Sequence, residues 1–239
     1  MNEFEGFSPE LIRFLKDLKN NNNREWFQAN REHYQKYLVK PAKAYVTAIA
    51  PFFNNLNPQI RTAPKFNHTL MRLNNDMRFH KGAPYRTYFL IHFGKFKLDS
   101  EFYVYFDDES VQIGLFINNS GKENHYFKEN SLQYKKELFD VFAKYKVNNN
   151  FSFYRLEKSP QLVKSKFTIE KNFDLLVNEK MILLQKTKPP AKSKIDSPQF
   201  LIESMKIFQR LYPVYCFAVS PFPLKILKHF EDYSWDILG

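Results

Sequence analysis

From Leu11 to Leu18 apolar residues recur at Leu11, Phe14, Leu15 and Leu18, the spacing of one helix face. Ser8-Pro9-Glu10 predicts where that helix begins: Ser caps free amides, Pro fits the first helical position, and Phe7 can staple onto Ile12. The asparagine run at 20–23 ends this helix and caps the next. A second helix from Arg24 carries Trp26, Phe27, Tyr34, Tyr37 and Leu38 to Pro41, where it stops or restarts. Tyr45, Val46, Ile49, Phe52, Phe53 and Leu56 then continue a helical pattern.

The middle of the chain changes period. Val111, Ile113, Leu115 and Ile117 alternate with Gln112, Gly114 and Phe116, as a half-buried strand requires. The acidic stretch between 107 and 110 predicts an antiparallel hairpin of about 102–107 with 111–118. Residues 85–96 are a further strand, dense in aromatics. Leu132, Leu138, Phe139, Phe142 and Tyr145 predict a helix, Phe173 to Lys186 another, and Ser197-Pro198 opens a last one through Phe200, Leu201, Met205, Phe208 and Leu211. Helices at both ends around a central, mainly antiparallel sheet define an α+β fold.

Length adds a limit on domain number. A chain of 239 residues with 26 Phe and 14 Tyr can bury a large core. The most loop-like stretch, 186–198, is basic and rich in Pro, but the forty residues after it are too few for a core of their own. One domain over 1–239 with a mobile basic loop at 186–198 is therefore expected. The start of the chain has no basic segment followed by an apolar stretch, and no apolar run reaches a membrane span. A cytoplasmic protein without a membrane partner is the expectation, and the pattern does not define an oligomeric state.

Charge and reactive residues narrow the chemistry. The formal charge of +11 suits a polyanion partner, and equally the lysine drift of an AT-rich genome, since the chain holds 27 Lys to 9 Arg. Cys216, in the run VYCFAV, reads as a small buried hydrophobe. Six glycines form no phosphate-cradling loop or dinucleotide fingerprint, and the six histidines are dispersed. No cofactor is named by the pattern, and whether the protein is an enzyme stays open.

Against the lysine preference, Arg72 to Arg86 (RLNNDMRFHKGAPYR) concentrates three arginines. As a strand over 71–80 it places Met71, Leu73, Asn75, Met77 and Phe79 on one face, and Arg72, Asn74, Asp76, Arg78 and His80 on the other. Arginine forks suit carboxylate and phosphate groups, whereas Asp76 between two arginines is held ionised and is a poor general base. The bland alternative is a solvent-facing ladder of ion pairs. Trp26 and Phe27 have a similar pair of readings, core packing or a binding platform, while Arg24 and Glu25 are placed to reach the Arg72 face.

Two blocks, N-N-x-R-E-W-F at Asn21 to Phe27 and R-x-x-x-D-x-R-F-x-K-x-x-P-Y-[KR] at Arg72 to Arg86, resemble a bacterial family of conserved hypothetical proteins classified as a domain of unknown function. The resemblance runs along most of the chain and weakens after about 120. It departs at Asn75, where the family carries Arg, and at Gly82-Ala83, where it carries Lys. It implies which residues matter and brings no activity with it. The leading expectation is an anion-binding protein using Arg72, Asp76, Arg78, Lys81, Tyr85, Arg86 and Arg24, with a phosphate-bearing small molecule or nucleic acid as partner. A metal-dependent phosphoester hydrolase or nuclease, pairing Asp76 with Asp107 or Glu101, and a non-catalytic scaffold protein are the alternatives.

Overall fold

The structure, a computed structural model, describes residues 3–78, 82–96, 99–121 and 124–233. The N-terminal third is helical: α1 (Pro9–Asn20), α2 (Arg24–Ala29), the short α3 (Arg31–His33), a π-helical turn (Tyr34–Val39) and α4 (Lys40–Leu56). The wider π turn is what lets the chain pass Pro41, which has no amide to donate, without ending the helical run. The asparagine run behaves as expected. Asn21 closes α1, and the Asn23 carboxamide accepts from the Trp26 amide at 2.8 Å to cap α2.

The sheet is antiparallel throughout its six described strands: β1 (Phe89–Phe93), β2 (Glu101–Phe106), β3 (Val111–Asn118), β4 (Phe151–Leu156), β5 (Pro160–Lys164) and β6 (Met181–Lys186), ordered β1-β2-β3-β6-β4-β5. The β2–β3 hairpin appears where the alternation puts it, and Asp107 secures its turn by accepting from the Glu109 and Ser110 amides at 2.9 and 2.7 Å. The expected helix over 173–186 is a correction. Helix α7 (Ile169–Asn178) ends early, and residues 181–186 are β6, in the middle of the sheet. Met-Ile-Leu-Leu is too short a run to distinguish the two periods, and burial of Ile182 and Leu184 on one face with Leu183 on the other decides for strand.

The remaining helices are α5 (Phe127–Gln133), α6 (Lys135–Lys144), α8 (Lys192–Ile195), α9 (Gln199–Val219) and α10 (Pro223–Tyr233). The inward sheet face meets α4 and α9 through aromatic rings, Phe93 on Phe53 at 4.4 Å and Phe102 on Tyr215 at 4.8 Å. Two phenols within this core are partnered, the Tyr45 hydroxyl donating to Ser204 and that of Tyr212 to the Leu56 carbonyl, whereas the Tyr215 hydroxyl is buried without a hydrogen bond. Cys216 is fully buried in α9, and burial pushes its thiol well above the ordinary range, so it is a packing residue. The segment 186–198 contains α8 and is tied to the extended residues before α1, where the Phe7 amide donates to the Ile195 carbonyl at 2.8 Å.

The other sheet face carries a smaller cluster of Tyr103, Phe116 and Leu183. Tyr103 lies opposite Gly114, and Gly114 opposite Gln185, so the phenol crosses the glycine to donate to Gln185 at 3.2 Å. A Cβ at Gly114 would lie 2.3 Å from the Leu184 carbonyl and 2.8 Å from the Tyr103 hydroxyl. Gly114→Ala is expected to lower stability by about 2–3 kcal/mol through overpacking in mid-sheet. Urea unfolding with a midpoint unchanged from the wild type would contradict this.

Candidate functional site

The arginine stretch belongs to an irregular ribbon at the β1 edge of the sheet. Leu70 bridges Ile91, the Met71 amide donates to the Leu90 carbonyl at 3.0 Å, and Asn74 bridges Tyr85. The expected alternation holds at Leu73, which is 1 % exposed, and fails at Met77, which is 42 % exposed. The regular strand over 71–80 is thus not formed across its described part, and the reason is local. Asp76 turns back to accept from the amide and the guanidinium of Arg78, a hydrogen-bonding option that competes with a ladder. Across the ribbon, Pro84 has no amide to offer.

The candidate residues divide by what they touch. Asp76 and Arg78 form an exposed two-pronged pair at 2.9 and 2.7 Å, and this pairing holds the Asp76 carboxyl below its ordinary range. Arg86 is structural: its guanidinium donates to the Arg72 carbonyl at 3.0 Å and to that of Asn74. Tyr85 is buried and stacks on Phe27 with ring centres 4.1 Å apart. Arg72 is exposed, with its guanidinium 6.0 Å from the Phe66 ring and close enough to Tyr34 to act on its hydroxyl. Arg24 is exposed in the first turn of α2 and makes no hydrogen bond or ion pair among the described residues. Lys81, Phe79 and His80 lie outside the described residues.

The expected reach of Arg24 and Glu25 to the Arg72 face is not the contact that forms. Asn22 makes it instead. Its carboxamide donates to the Tyr85 carbonyl at 2.8 Å and accepts from the Tyr85 amide at 3.0 Å, pairing with backbone as a strand neighbour would. Phe27 packs beneath, and Trp26 rests on Phe14 with centres 5.6 Å apart, so both aromatics serve the core.

A polar cluster sits at the base of the ribbon. The Glu101 carboxylate accepts from Arg61 at 3.0 Å and lies 3.0 Å from His92 Nδ1, all three side chains being 10–17 % exposed. His68 is nearby. Burial, then the charges of Arg61 and Lys65, hold its imidazole below the ordinary range, and its Nδ1 is buried without a hydrogen bond. The sequence names Glu101 only as a metal partner for Asp76; here it anchors Arg61, while Asp107 is engaged in its turn. Among the described residues no group of three or more His, Cys, Asp or Glu is arranged to hold a metal. Two residues before Glu101, burial pushes the Asp99 carboxyl up to about 6.

One cation-lined surface was not legible beforehand. Gln28, Arg31, Glu32, Gln35, Lys36 and Lys40 line a shallow groove of about 630 Å³ along α2 and the π turn. It begins on the helix whose first turn carries Arg24. The spacing Arg31, Lys36, Lys40 is its signal, blurred by the π turn, which shifts the helical phase.

The chain is therefore an α+β protein with a helical layer on one face of an antiparallel sheet and an arginine-bearing ribbon along its β1 edge. It belongs to the family described as "Conserved hypothetical protein (DUF2461)", which matches residues 10–217. No curated protein and no solved structure matches it. The matched span includes both the Asn22–Tyr85 junction and the polar cluster beneath it.

The cluster makes a direct prediction. Removing the Glu101 carboxylate leaves Arg61 and His92 half-buried without their acceptor, so Glu101→Ala is expected to cost about 3 kcal/mol in urea unfolding, with Glu101→Gln costing less. Negligible losses for both would show that the cluster does not hold the ribbon to the sheet.

Proposed function

We infer that this is an anion-binding protein whose ligand is a phosphate-bearing molecule, a small metabolite or a nucleic-acid backbone, held at the ribbon and the adjoining face of α2. The observation that supports this reading best is the division among the arginines. Arg78 is neutralised by Asp76 and Arg86 is committed to backbone carbonyls, whereas Arg72 and Arg24 are exposed and have no carboxylate partner among the described residues. A guanidinium that is positioned but unpaired is available to a phosphate oxygen, and its planar fork fits that geometry. The groove of Arg31, Lys36 and Lys40 adds positive surface on the same helical run, and the formal charge of +11 favours the same sign of partner. Asp76 has no place in the binding set, because its carboxylate is occupied.

The hydrolase and nuclease reading has less support: Asp76, Glu101 and Asp107 each satisfy a different local partner. The scaffold reading predicts no saturable anion binding at all, so one experiment separates it from ours.

Fluorescence anisotropy with a labelled single-stranded oligonucleotide, competed by inorganic phosphate and ATP, tests the proposal. Arg24→Ala with Arg72→Ala is expected to weaken binding at least tenfold without changing the melting temperature. If the ligand is a nucleic-acid backbone, the salt slope falls by about one to two. Arg86→Ala is the structural control and lowers stability instead. Binding unchanged in the double variant, or no saturable binding of any of these anions, would overturn the proposal.

A further inference from the structure

The turn between β1 and β2 meets the C-terminal end of α9 through the Lys95 ammonium. The last carbonyls of a helix have no partner within it, and those of α9 are satisfied from outside. The Asn130 carboxamide donates to the Phe217 and Ser220 carbonyls at 2.9 and 2.7 Å, the Tyr126 amide to that of Ala218 at 3.3 Å, and Lys95 Nζ to that of Val219 at 2.8 Å. An ammonium here also meets the negative end of the helix dipole.

Asp99, on the same turn, is 1 % exposed. Its Oδ1 accepts from the Ser100 amide at 2.7 Å, while its Oδ2 is buried without a hydrogen bond. One neutral donor is little support for a buried carboxylate, so the proton is retained beyond the ordinary range. The groups that face it leave one free to respond. Glu101 on β2 opposes ionisation, and Arg61, which favours it, is already held with His92 by Glu101. From α9 Tyr215 faces Asp99 and Cys216 faces Lys95, and burial keeps both neutral. Lys95 is near enough for its charge to act on Asp99, yet its ammonium bonds to Val219 instead.

We propose that Lys95 and Asp99 form a proton-controlled latch at the end of α9. With Asp99 protonated, Lys95 caps the Val219 carbonyl. When Asp99 loses its proton to solvent, the ammonium turns to the new carboxylate and the cap is released. The closed state holds the proton more tightly than the open one, so it is favoured fully below about pH 4 and loses its advantage as pH rises through about 6. The latch does not rest on the anion site.

Amide hydrogen exchange of the full chain, read at residues 216–220 and corrected for the intrinsic effect of pH, tests this. Wild-type protection there is expected to fall at least tenfold as pH is raised from about 4.5 to about 7, and to change little above that. Asp99→Asn keeps the shape of the side chain without its charge, and is expected to keep high protection throughout. Lys95→Met retains the buried carboxyl but has no ammonium to move. Its protection at 216–220 is expected to be low at every pH, with no step, although its melting temperature still falls as pH rises. If Asp99→Asn lacks a cooperative melt, Lys95→Met decides alone. No step in the wild type, or a step that persists in either folded variant, would overturn the proposal.

Discussion

A single side-chain amide joins the two halves of the candidate site. Asn22 meets both polar groups of the Tyr85 backbone, and in doing so completes a ribbon that has few ladder hydrogen bonds of its own. Beneath that contact Tyr85 lies flat on Phe27, which packs on Tyr34 and Phe14 in the N-terminal helical layer. The helices therefore form one side of the ribbon's support, and β1 the other. The two recognisable motif blocks, some fifty residues apart in sequence, are parts of one junction.

That support determines the electrostatics. A ribbon held by Asn22 at one end and by the Arg61–Glu101–His92 cluster at the other has a fixed course, so its guanidinium groups are sorted by position. Arg86 turns inward to the carbonyls of the opposite strand, Arg78 closes on Asp76, and Arg72 is left facing solvent beside Phe66. Lysine cannot substitute for Arg78, because one ammonium does not present two parallel donors in a plane, whereas Arg86 reaches both carbonyls from one nitrogen. Arginine rather than lysine has this structural cause at Arg78, while Arg86 holds the ribbon's carbonyls and Arg72 is exposed without a carboxylate partner among the described residues.

Elements with a long, regular period were readable from sequence. Helices α1 and α9 and the β2–β3 hairpin all follow their hydrophobic spacing, and the asparagine run caps as its chemistry suggests. Where two influences compete, reading failed. Strand β6 is a four-residue apolar core that suits either period, and β4 and β5 carried no alternation strong enough to name. The arginine stretch alternates well enough for a strand, but the Asp76 side chain and Pro84 act on the backbone locally. Asn22 was invisible as a contact because amide-to-backbone pairing leaves no periodic trace. The Arg61–Glu101–His92 cluster joins residues forty positions apart, which only the sheet brings together. The half-open pocket lined by α1, the β2–β3 hairpin and the 186–198 segment depends on the course of that segment, which composition alone does not specify.

The most direct test of the account uses Asn22→Ala, which keeps every cation and removes only the junction. Anion affinity measured by oligonucleotide anisotropy at several salt concentrations, on protein confirmed to be folded, is the quantity to compare. If the ribbon's fixed course makes the site, affinity falls about as far as it does on loss of Arg24 and Arg72 together. Affinity equal to the wild type would show that net charge alone attracts the anion, and that the ribbon's geometry has no part in holding it.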